Sequence, residues 1–251
     1  SQAVKDNITG LIICGGDGTL HEVINGICAS SSRRAQVPIA IVPSGRCNDF
    51  ASCLKLPQTP SEVMDSLNAR IIRQVDLGLI GNKYYSTVAT LGFDSAVSEY
   101  VADGRSPGFL AGSSAYLYST LVQLIRYQDV NVRITGDSLN FEGPIFLAAT
   151  GNTPSYGGRM RIVPTAVADD GYLDLCLVKS VSRMEVVKMV PKIFNGGHIN
   201  HNAVSLHKVK RIAIESEEPL QLWADGERMT KTPATIEVVP KALSIFTTAK
   251  S

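Results

Sequence analysis

The chain has 251 residues, of which 44% are hydrophobic and 19% are charged. These values are typical of a soluble globular protein with one large domain or two smaller ones. The 24 basic and 23 acidic residues give a formal net charge of +1, which argues against nucleic-acid binding by broad neutralisation of phosphates. No apolar run approaches the roughly 18 residues that span a bilayer, so any membrane contact is expected to be peripheral.

The five cysteines, Cys14, Cys28, Cys47, Cys53 and Cys176, form neither a CxxC pair nor a metal-binding spacing. Their number is odd, and at least two of them lie in apolar runs that are typical of a protein core. This pattern predicts reduced thiols and a cytoplasmic location.

The first third of the chain alternates between strand and helix patterns. The helix that starts at Thr59 carries the Thr59-Pro60-Ser61-Glu62 signature of a capping box. Strands separated by helices predict parallel pairing with right-handed crossovers, and hence an α/β domain over residues 1–75. The predicted elements are strands at 8–14 and 38–42, helices at 19–29, around Phe50 and from Thr59 to about Arg70, and a polar loop at 30–34.

Strand-like alternation dominates after about residue 75 and predicts a largely antiparallel, β-rich second domain over residues 76–242. Residues from about 243 to 251 are expected to rejoin the first domain. The predicted strands are 75–80, 84–91, 130–135, 141–150, 173–178, 203–215, 219–224 and 234–239, the first two joined by a Gly81-Asn82 turn.

Two helices are predicted within this second domain. The first covers 113–127, and a capping box of Ser182 and Glu185 starts the second. Their predicted apolar faces are Leu117, Leu121, Leu124 and Ile125 in the first helix, and Val186, Val187 and Val190 in the second.

A glycine-rich loop, Gly15-Gly16-Asp17-Gly18-Thr19, follows the first predicted strand and precedes a helix. Backbone N–H groups in such a loop bind phosphate oxygens, although a tight turn without a ligand gives the same sequence. The carboxylate of Asp17 would repel a bare phosphate. Its presence therefore suggests that the loop also handles a metal ion or a proton.

A second loop, Pro43-Ser44-Gly45-Arg46-Cys47-Asn48-Asp49, lies in the same strand-to-helix position. In an open parallel sheet, ligands bind at the carboxyl ends of the strands. Both loops are therefore expected to face one crevice. The alternative is that Asn48 or Asp49 serves only as a helix cap.

Two carboxylate-glycine segments in the second half are further candidates. Ala224-Asp225-Gly226-Glu227 follows a strand that contains Trp223, and Ala168-Asp169-Asp170-Gly171-Tyr172 carries two adjacent acids. Either segment can be a simple turn, but the second also suits a hard cation bound partly through backbone carbonyls. His198 and His201 have no third ligand at a zinc-like spacing, so no zinc site is predicted there.

These segments occur in the order found in the diacylglycerol kinase catalytic-domain family, and the chain most resembles its bacterial soluble lipid kinases, which are related to sphingosine and ceramide kinases. The resemblance implies an α/β domain like those of phosphofructokinase and NAD kinase, a C-terminal β-rich domain, and an active site between them. The matching segments are GGDGTLHEVINGI (15–27), PSGRCNDFA (43–51), LGFDS (91–95), PTAVADDGYLDL (164–175) and ADGE (224–227).

The resemblance also implies roles for individual residues in an ATP-dependent, Mg²⁺-requiring lipid kinase. Asp17 and Asp49 would belong to the Mg²⁺–water network, and Glu227 would be the general base, with Asp17 as its rival. Asp170, with the carbonyls of Val167 and Tyr172, would hold a structural Mg²⁺. The nucleotide would be held by Gly15, Gly16, Asp17, Gly18, Thr19, Leu20 and His21 in the first loop and by Gly45, Arg46, Asn48 and Asp49 in the second.

Two departures from the family pattern bear on these roles. Arg46 stands where the family usually has a threonine that contacts ATP, and an arginine can either grip a phosphate or obstruct the nucleotide. The family's first strand and its glycine-containing nucleotide loop are not in this sequence, so we expect upstream elements.

Three hypotheses follow from the sequence. The leading one is a lipid kinase that contacts its membrane substrate peripherally. The others are a kinase of a soluble polyol or nucleotide, and a catalytically silent homologue that binds lipid or nucleotide. Oligomeric state stays open, and a homodimer is compatible with the resemblance and with base rates.

Overall fold

The computed structural model describes residues 9–29, 37–107, 113–137 and 139–248. The predicted polar loop at 30–34, the first residue of the predicted strand at 8–14 and the last three residues of the chain lie outside this part. The described residues form an α/β portion and a β-rich portion, which confirms the predicted fold class.

The α/β portion is built on two parallel strands, β1 (Leu11–Gly15) and β2 (Ile39–Pro43). Helix α1 (Asp17–Cys28) starts one residue after β1, and the short helix α2 (Asp49–Cys53) follows β2 through the second loop. Leu20, Ile24 and Phe50 fix both helices in one buried cluster with these strands. Because the strands are parallel, the two loops leave the sheet at the same edge.

Helix α3 (Pro60–Ala69) begins with the predicted capping box. The hydroxyl of Thr59 accepts the N–H of Glu62 at 3.3 Å, and the Glu62 carboxylate accepts the N–H of Thr59 at 3.1 Å. Two N–H groups at the start of the helix are satisfied in this way. The helix is followed by Arg70, whose positive φ of 52° turns the chain into the next strand.

The β-rich portion is mostly antiparallel and encloses a second buried cluster that includes Leu91, Ile134 and Leu175. Its helices are α4 (Phe93–Ala102), α5 (Ser113–Arg126) and α6 (Arg183–Ile193). The strands that follow β2 are β3 (Ile71–Ile80), β4 (Lys83–Tyr85), β5 (Val88–Gly92), β6 (Val130–Gly136), β7 (Asn140–Gly151), β8 (Leu173–Lys179), β9 (Val204–Val209), β10 (Arg211–Ser216), β11 (Gln221–Ala224), β12 (Glu227–Lys231) and β13 (Ala234–Thr247).

Strand β13 belongs to both portions. Its first residues pair with β10, and most of the strand pairs antiparallel with β3. Near its end, Ile245 pairs in parallel with Ile39 of β2. The chain thus returns to the α/β portion within a single strand. The boundaries at 1–75 and 76–242 stay predictions.

Several predicted elements differ from the observed ones. The predicted strand at 84–91 is interrupted at Ser86 and Thr87, which lie between β4 and β5. The predicted strand at 203–215 is two strands, because β9 pairs with β8 whereas β10 pairs with β6 and β13. Helix α4 and strand β12 were not predicted.

The predicted apolar faces of α5 and α6 are correct only in part. Leu124 packs against a buried cluster and Val186 is buried, but the other described residues of the two predicted faces are exposed. Leu121 and Ile125 of α5 point to solvent, and so do Val187 and Val190 of α6. The buried residues of α6 are Val186 and Met189, and the buried face of α5 includes the polar Ser119. The side chain of Leu117 lies outside the described part.

We predict that Thr59→Ala lowers the free energy of unfolding by about 1 kcal/mol, because the N–H of Glu62 loses its hydrogen-bond acceptor. Urea denaturation measures this change. Ser61→Ala, at an exposed position of the same helical turn, is the control and should change stability by less than about 0.5 kcal/mol. Equal losses in both variants would contradict a capping role for Thr59.

Candidate active site

The two strand-to-helix loops touch through their backbones. The N–H of Ser44 donates to the carbonyl of Gly15 at 3.0 Å. A Cβ atom added to Gly45 would lie 2.4 Å from the Cα of Gly16, a distance that no side chain could tolerate. Glycine is therefore required at Gly45, and the loops form one continuous surface at the strand ends.

Asn48 stabilises the second loop. It has a left-handed conformation with φ of 50°, and its side-chain amide both accepts the N–H of Gly45 and donates to the carbonyl of Gly45 at 2.9 Å. Its side chain does not cap α2. The hypothesis that Asn48 serves only as a helix cap is therefore wrong.

The Asp17 carboxylate bridges the two loops. It accepts the N–H of Asp49 at 3.2 Å and the N–H of Phe50 at 3.5 Å, at the start of α2. Burial raises the pKa of Asp17, and the nearby Asp49 charge raises it further against the lowering effect of these hydrogen bonds. Asp17 is thus held in place, beside a second negative charge.

Asp49 is buried and turns its carboxylate toward the β-rich portion. It accepts the N–H of Gly158 at 3.1 Å and the N–H of Arg159 at 3.3 Å. Backbone groups 109 and 110 residues away therefore orient this side chain. Asp17 and Asp49 meet at the boundary between the two portions.

Asp225 is the most heavily hydrogen-bonded carboxylate of the site. It accepts both the N–H and the hydroxyl of Thr87, at 2.9 and 2.6 Å, and both donors of Ser86, at 2.7 and 3.1 Å. The ring of His21 lies 3.3 Å away. Burial raises the pKa of Asp225, but the hydrogen bonds from His21, Thr87 and Ser86 outweigh that effect, and its pKa falls below the ordinary value.

These loops border a cavity of about 230 Å³. It contains four carboxylates, and none of the described residues that line it is a lysine or arginine. The negative charge therefore has no side-chain counterion in the wall. The lining comprises Asp17, Cys47, Asp49, Thr87, Val88, Thr90, Asp94, Ser98, Tyr116, Tyr156, Gly157, Trp223, Ala224, Asp225 and Gly226.

Asp94 in α4 forms a polar wall of the cavity together with α5. The hydroxyl of Tyr116 donates to its carboxylate at 2.8 Å, and the hydroxyl of Thr90 donates at 3.1 Å. Burial raises the pKa of Asp94 despite these hydrogen bonds. The sequence predictions assigned no role to Asp94 or Asp225, although the LGFDS and ADGE segments contain them.

The first loop presents backbone donors where the sequence predicts phosphate binding. The first hydrogen bond of α1 runs from the N–H of Leu20 to the carbonyl of Gly16, so the N–H groups of Asp17, Gly18 and Thr19 precede the helical ladder. Leu20 itself is buried in the core, and His21 contacts Asp225. Leu20 and His21 therefore support the loop and do not present their side chains to a nucleotide.

Glu227 lies outside the cavity wall. It is exposed at the start of β12, after Asp225 and Gly226, whose positive φ angles of 53° and 83° form the predicted hairpin turn. The carboxylate of this segment that lines the cavity is that of Asp225. Arg46 is exposed in the second loop, next to Cys47 of the cavity wall.

The carboxylates fit a Mg²⁺ ion held mainly by its substrate. Within the described residues, no three His, Cys, Asp or Glu side chains are grouped as metal ligands. Mg²⁺ is commonly held by one or two carboxylates, with phosphates and water completing the octahedron. Asp17 and Asp49, adjacent and without a cationic partner in the wall, match that donor set.

The second predicted metal site has a different arrangement. Asp170 accepts the N–H of Tyr172 at 3.0 Å and pairs with the ammonium of Lys208 at 2.6 Å, while Asp174 lies 3.1 Å from the same ammonium. Burial lowers the pKa of Lys208, but the hydrogen bonds to Asp170 and Asp174 outweigh it and raise the pKa. As placed, these residues fit an ammonium group. Metal binding by Val167, Asp170 and Tyr172 stays a prediction, and it requires Lys208 to move.

The two parallel strands end in glycine loops, and these loops and the β-rich portion meet around an acidic cavity. This arrangement is a kinase fold of the NAD kinase-like type. Residues 1–80 match the diacylglycerol kinase catalytic domain, and residues 87–247 match the YegS C-terminal NAD kinase beta sandwich-like domain. The chain belongs to the diacylglycerol kinase family, whose members are phosphotransferases with an alcohol group as acceptor.

Individual relatives agree with this assignment. The chain is 32% identical to the diacylglycerol kinase of Staphylococcus carnosus over 246 residues, which cover 98% of this chain and 79% of the relative. It is 31% identical to that of Mycobacterium tuberculosis over 251 residues, covering 97% and 78%.

The fold is also similar to that of a Bacillus anthracis protein assigned as a diacylglycerol kinase. The TM-score is 0.78 at 27% identity, and the match covers 98% of this chain and 80% of the other. None of the helices in the described residues is long and apolar enough to cross a membrane.

We predict that Gly45→Ala lowers the free energy of unfolding by about 1–3 kcal/mol, because its Cβ would force the two loops apart. Urea denaturation measures the loss. Gly18→Ala is the control, since its Cβ would meet nothing within 4 Å and alanine favours the helix. An unchanged stability of Gly45→Ala would contradict the close contact of the loops.

We predict that Asp170→Asn lowers the melting temperature by a similar amount in EDTA and in millimolar Mg²⁺, because the lost partner is the Lys208 ammonium. Thermal unfolding under both conditions measures this. Glu218→Gln, at an exposed position, is the control. If Mg²⁺ raises the melting temperature of the unaltered chain but not of Asp170→Asn, the metal displaces Lys208 and the resemblance-based assignment is correct.

Proposed function

We propose that the chain transfers the γ-phosphate of ATP to the hydroxyl of a diacylglycerol-like lipid in the presence of Mg²⁺. The observation that carries this proposal is the cavity in which Asp17 and Asp49 meet at the ends of two parallel strands. The names of the relatives, the β-rich portion and the LGFDS and PTAVADDGYLDL segments favour a lipid over a soluble acceptor.

The phosphate chain of ATP would bind at the start of α1. Its oxygens would accept hydrogen bonds from the N–H groups of Asp17, Gly18 and Thr19. The positive end of the helix dipole favours the binding of an anion at this position. Arg46 is exposed in the second loop, at the same edge of the sheet. It would add a cationic hydrogen-bond donor suited to phosphate oxygens. Gly16 and Gly45 keep that surface free of side chains.

The charge balance of the cavity determines what must accompany the nucleotide. Four carboxylates and an anionic phosphate chain repel one another unless positive charge is added. Mg²⁺, when bound with ATP, would neutralise this charge and polarise the phosphate that is transferred. Asp17 and Asp49 would hold it directly or through its waters, and their backbone hydrogen bonds keep both carboxylates oriented before the ligand arrives.

The acceptor hydroxyl needs a group that takes its proton as the phosphate is transferred. Glu227, assigned by resemblance, begins β12 immediately after Gly226 of the cavity wall. Asp17 lies within the wall, and its raised pKa makes it a stronger base than an ordinary carboxylate. A base acts at the acceptor oxygen only when the lipid hydroxyl reaches it, so a kinetic comparison of both residues is required.

We predict that Asp17→Asn and Asp49→Asn each lower kcat for lipid phosphorylation by at least about 10²-fold, since both remove a negative charge that positions the metal–nucleotide complex. Glu227→Gln is expected to lower kcat by about 10²–10⁴-fold with little change in KM for ATP, as removal of a base does. Turnover is measured with isotopically labelled ATP and lipid extract, followed by mass spectrometry of the phosphorylated lipids.

Glu22→Gln, at an exposed position of α1, is the matched control and should keep normal turnover. Near-normal kcat in Glu227→Gln would leave Asp17 as the proton acceptor. Phosphorylation of soluble metabolites but not of lipids would overturn the lipid assignment. ATP binding without turnover on either substrate class would instead indicate a silent homologue.

A further inference from the structure

Asp94 is the carboxylate of the cavity wall that the proposed mechanism does not use. Asp17 and Asp49 would hold the metal, and Asp225 joins its hairpin to two other segments. Asp94 is the second residue of α4 and lies on the β-rich side of the cavity. A carboxylate that borders the cavity and has no part in the metal site is a candidate for contact with the acceptor substrate.

Asp94 lies in a different part of the wall from the other three carboxylates. Burial raises the pKa of Asp17, and the charges of Asp49 and Asp225 raise it further, so these three groups act on one another. Burial also raises the pKa of Asp94, and the groups that act against burial are hydroxyl side chains. A ligand atom at Asp94 is therefore a different atom from the hydroxyl that meets the phosphate near Asp17 and Asp49.

Three hydroxyl groups hold the Asp94 carboxylate. The hydroxyl of Tyr116 donates to one oxygen at 2.8 Å, and that of Thr90 donates to the other at 3.1 Å. Tyr156 is hydrogen-bonded to the same carboxylate. An ionised carboxylate has about four acceptor positions, so about one stays available to a ligand in the cavity.

The group that takes this position must bring its own hydrogen. A hydroxyl has one hydrogen, and those of Tyr116 and Thr90 are already directed at Asp94. Ser98 is hydrogen-bonded to Tyr116, and Ser95 donates to the carbonyl of Thr90 at 2.7 Å. The wall around Asp94 therefore presents an acceptor, which an O–H or N–H group of a ligand fits. An ester carbonyl, which can only accept, does not fit it.

The surroundings of Asp94 are otherwise aromatic and apolar. Trp223 lies directly opposite Thr90 in the pairing of β11 with β5, and directly opposed side chains share one face of a sheet. The guanidinium of Arg228 lies over the Trp223 ring, 5.4 Å from its centre. Val88 also borders the cavity. A headgroup with few polar atoms, attached to an apolar chain, suits this wall better than a polyol does.

We propose that Asp94 accepts a hydrogen bond from a second donor in the lipid headgroup, an O–H or N–H group beside the hydroxyl that is phosphorylated. The proposal rests on the proposed function, and it narrows the substrate class to lipids with a diol or an amino-alcohol headgroup. A monoacylglycerol has such a diol, whereas a diacylglycerol carries an ester at that position. Asp94 would thus determine specificity without taking part in phosphate transfer.

The hydrogen bond to Asp94 sets how strongly the two kinds of lipid are discriminated. A lipid without the second donor would shield the carboxylate from water and offer no replacement. A hydrogen bond to a charged group that one substrate makes and the other lacks corresponds to about 10–100-fold in kcat/KM. KM for ATP should not depend on Asp94, because the nucleotide is assigned to the glycine loops.

Kinetics with matched lipids test the proposal. The probes are a monoacylglycerol and the same molecule with a methyl ether in place of the hydroxyl beside the reacting one, both in the same detergent micelles with ATP and Mg²⁺. We expect the unaltered chain to phosphorylate the diol with a kcat/KM at least about 10-fold higher, mainly through KM for the lipid. A still higher kcat/KM for a long-chain amino alcohol would identify an ammonium as the donor, since charge strengthens the hydrogen bond.

Variants of Asp94 assign the preference to its carboxylate. Asp94→Leu removes the acceptor at similar volume and should lower the preference for the diol to less than about 3-fold. Asp94→Asn retains a neutral acceptor and should give an intermediate preference, and it decides the test if thermal unfolding shows that Asp94→Leu does not fold. Asp65→Asn, at an exposed position of α3, is the control and should keep the full preference.

A failure of the proposed function is measured separately. Trp223 is the single tryptophan of the chain and borders the cavity, so its fluorescence reports lipid binding without turnover. If neither lipid is phosphorylated, the proposed function fails. Tighter binding of the diol than of its methyl ether in a fluorescence titration would still support the role of Asp94.

Two outcomes would overturn the role of Asp94. One is equal kcat/KM for the diol and its methyl ether with the unaltered chain or, without turnover, equal binding of the two. The other is a full preference for the diol in the folded Asp94→Leu variant. Asp94 would then serve only to join α4 to α5 through Tyr116.

Discussion

The hydrogen bonds to the buried Asp225 carboxylate hold together the segments that border the acidic cavity. Asp225 lies in the hairpin between β11 and β12, Ser86 and Thr87 lie between β4 and β5, and His21 lies on α1. A charge without these partners would be very costly to bury, so the three segments are constrained to meet. Because α1 starts with the glycine loop, this contact also fixes that loop relative to the β-rich portion.

The same constraint explains how a cavity with four carboxylates can be stable. Backbone N–H groups hold Asp17 and Asp49, hydroxyls hold Asp94, and both kinds of donor hold Asp225. Oriented dipoles thus replace counterions, but they leave the cavity negatively charged. Burial raises the pKa of Asp17 and Asp94 by more than these hydrogen bonds lower it. Groups with a perturbed pKa at a cleft are typical of functional sites. In such a site, a cationic ligand can neutralise the charge of buried carboxylates.

The sequence predicted the features that depend on local pattern. The capping boxes at Thr59 and Ser182 and the two loops at the strand ends follow from residue type and spacing over a few positions. The break at Ser86 and Thr87 has its cause in Asp225, about 139 residues away, and no local pattern contains it. Strand β12 is polar because it is largely exposed, so it lacks the alternation that marks a half-buried strand.

The apolar faces of α5 and α6 could be assigned only in part, as Leu124 and Val186, because periodicity shows that a helix has an apolar side but not what that side contacts. In α5, the core-facing positions include Ser119, while Leu121 and Ile125 face outward. Helix α5 therefore contacts the core through a partly polar face and solvent through a partly apolar face. Ser119 can be buried because its hydroxyl donates to the carbonyl of Ala115 at 2.7 Å and lies 2.9 Å from the hydroxyl of Ser106. A polar residue whose hydrogen bonds are satisfied can therefore take a core-facing position that the apolar periodicity does not mark.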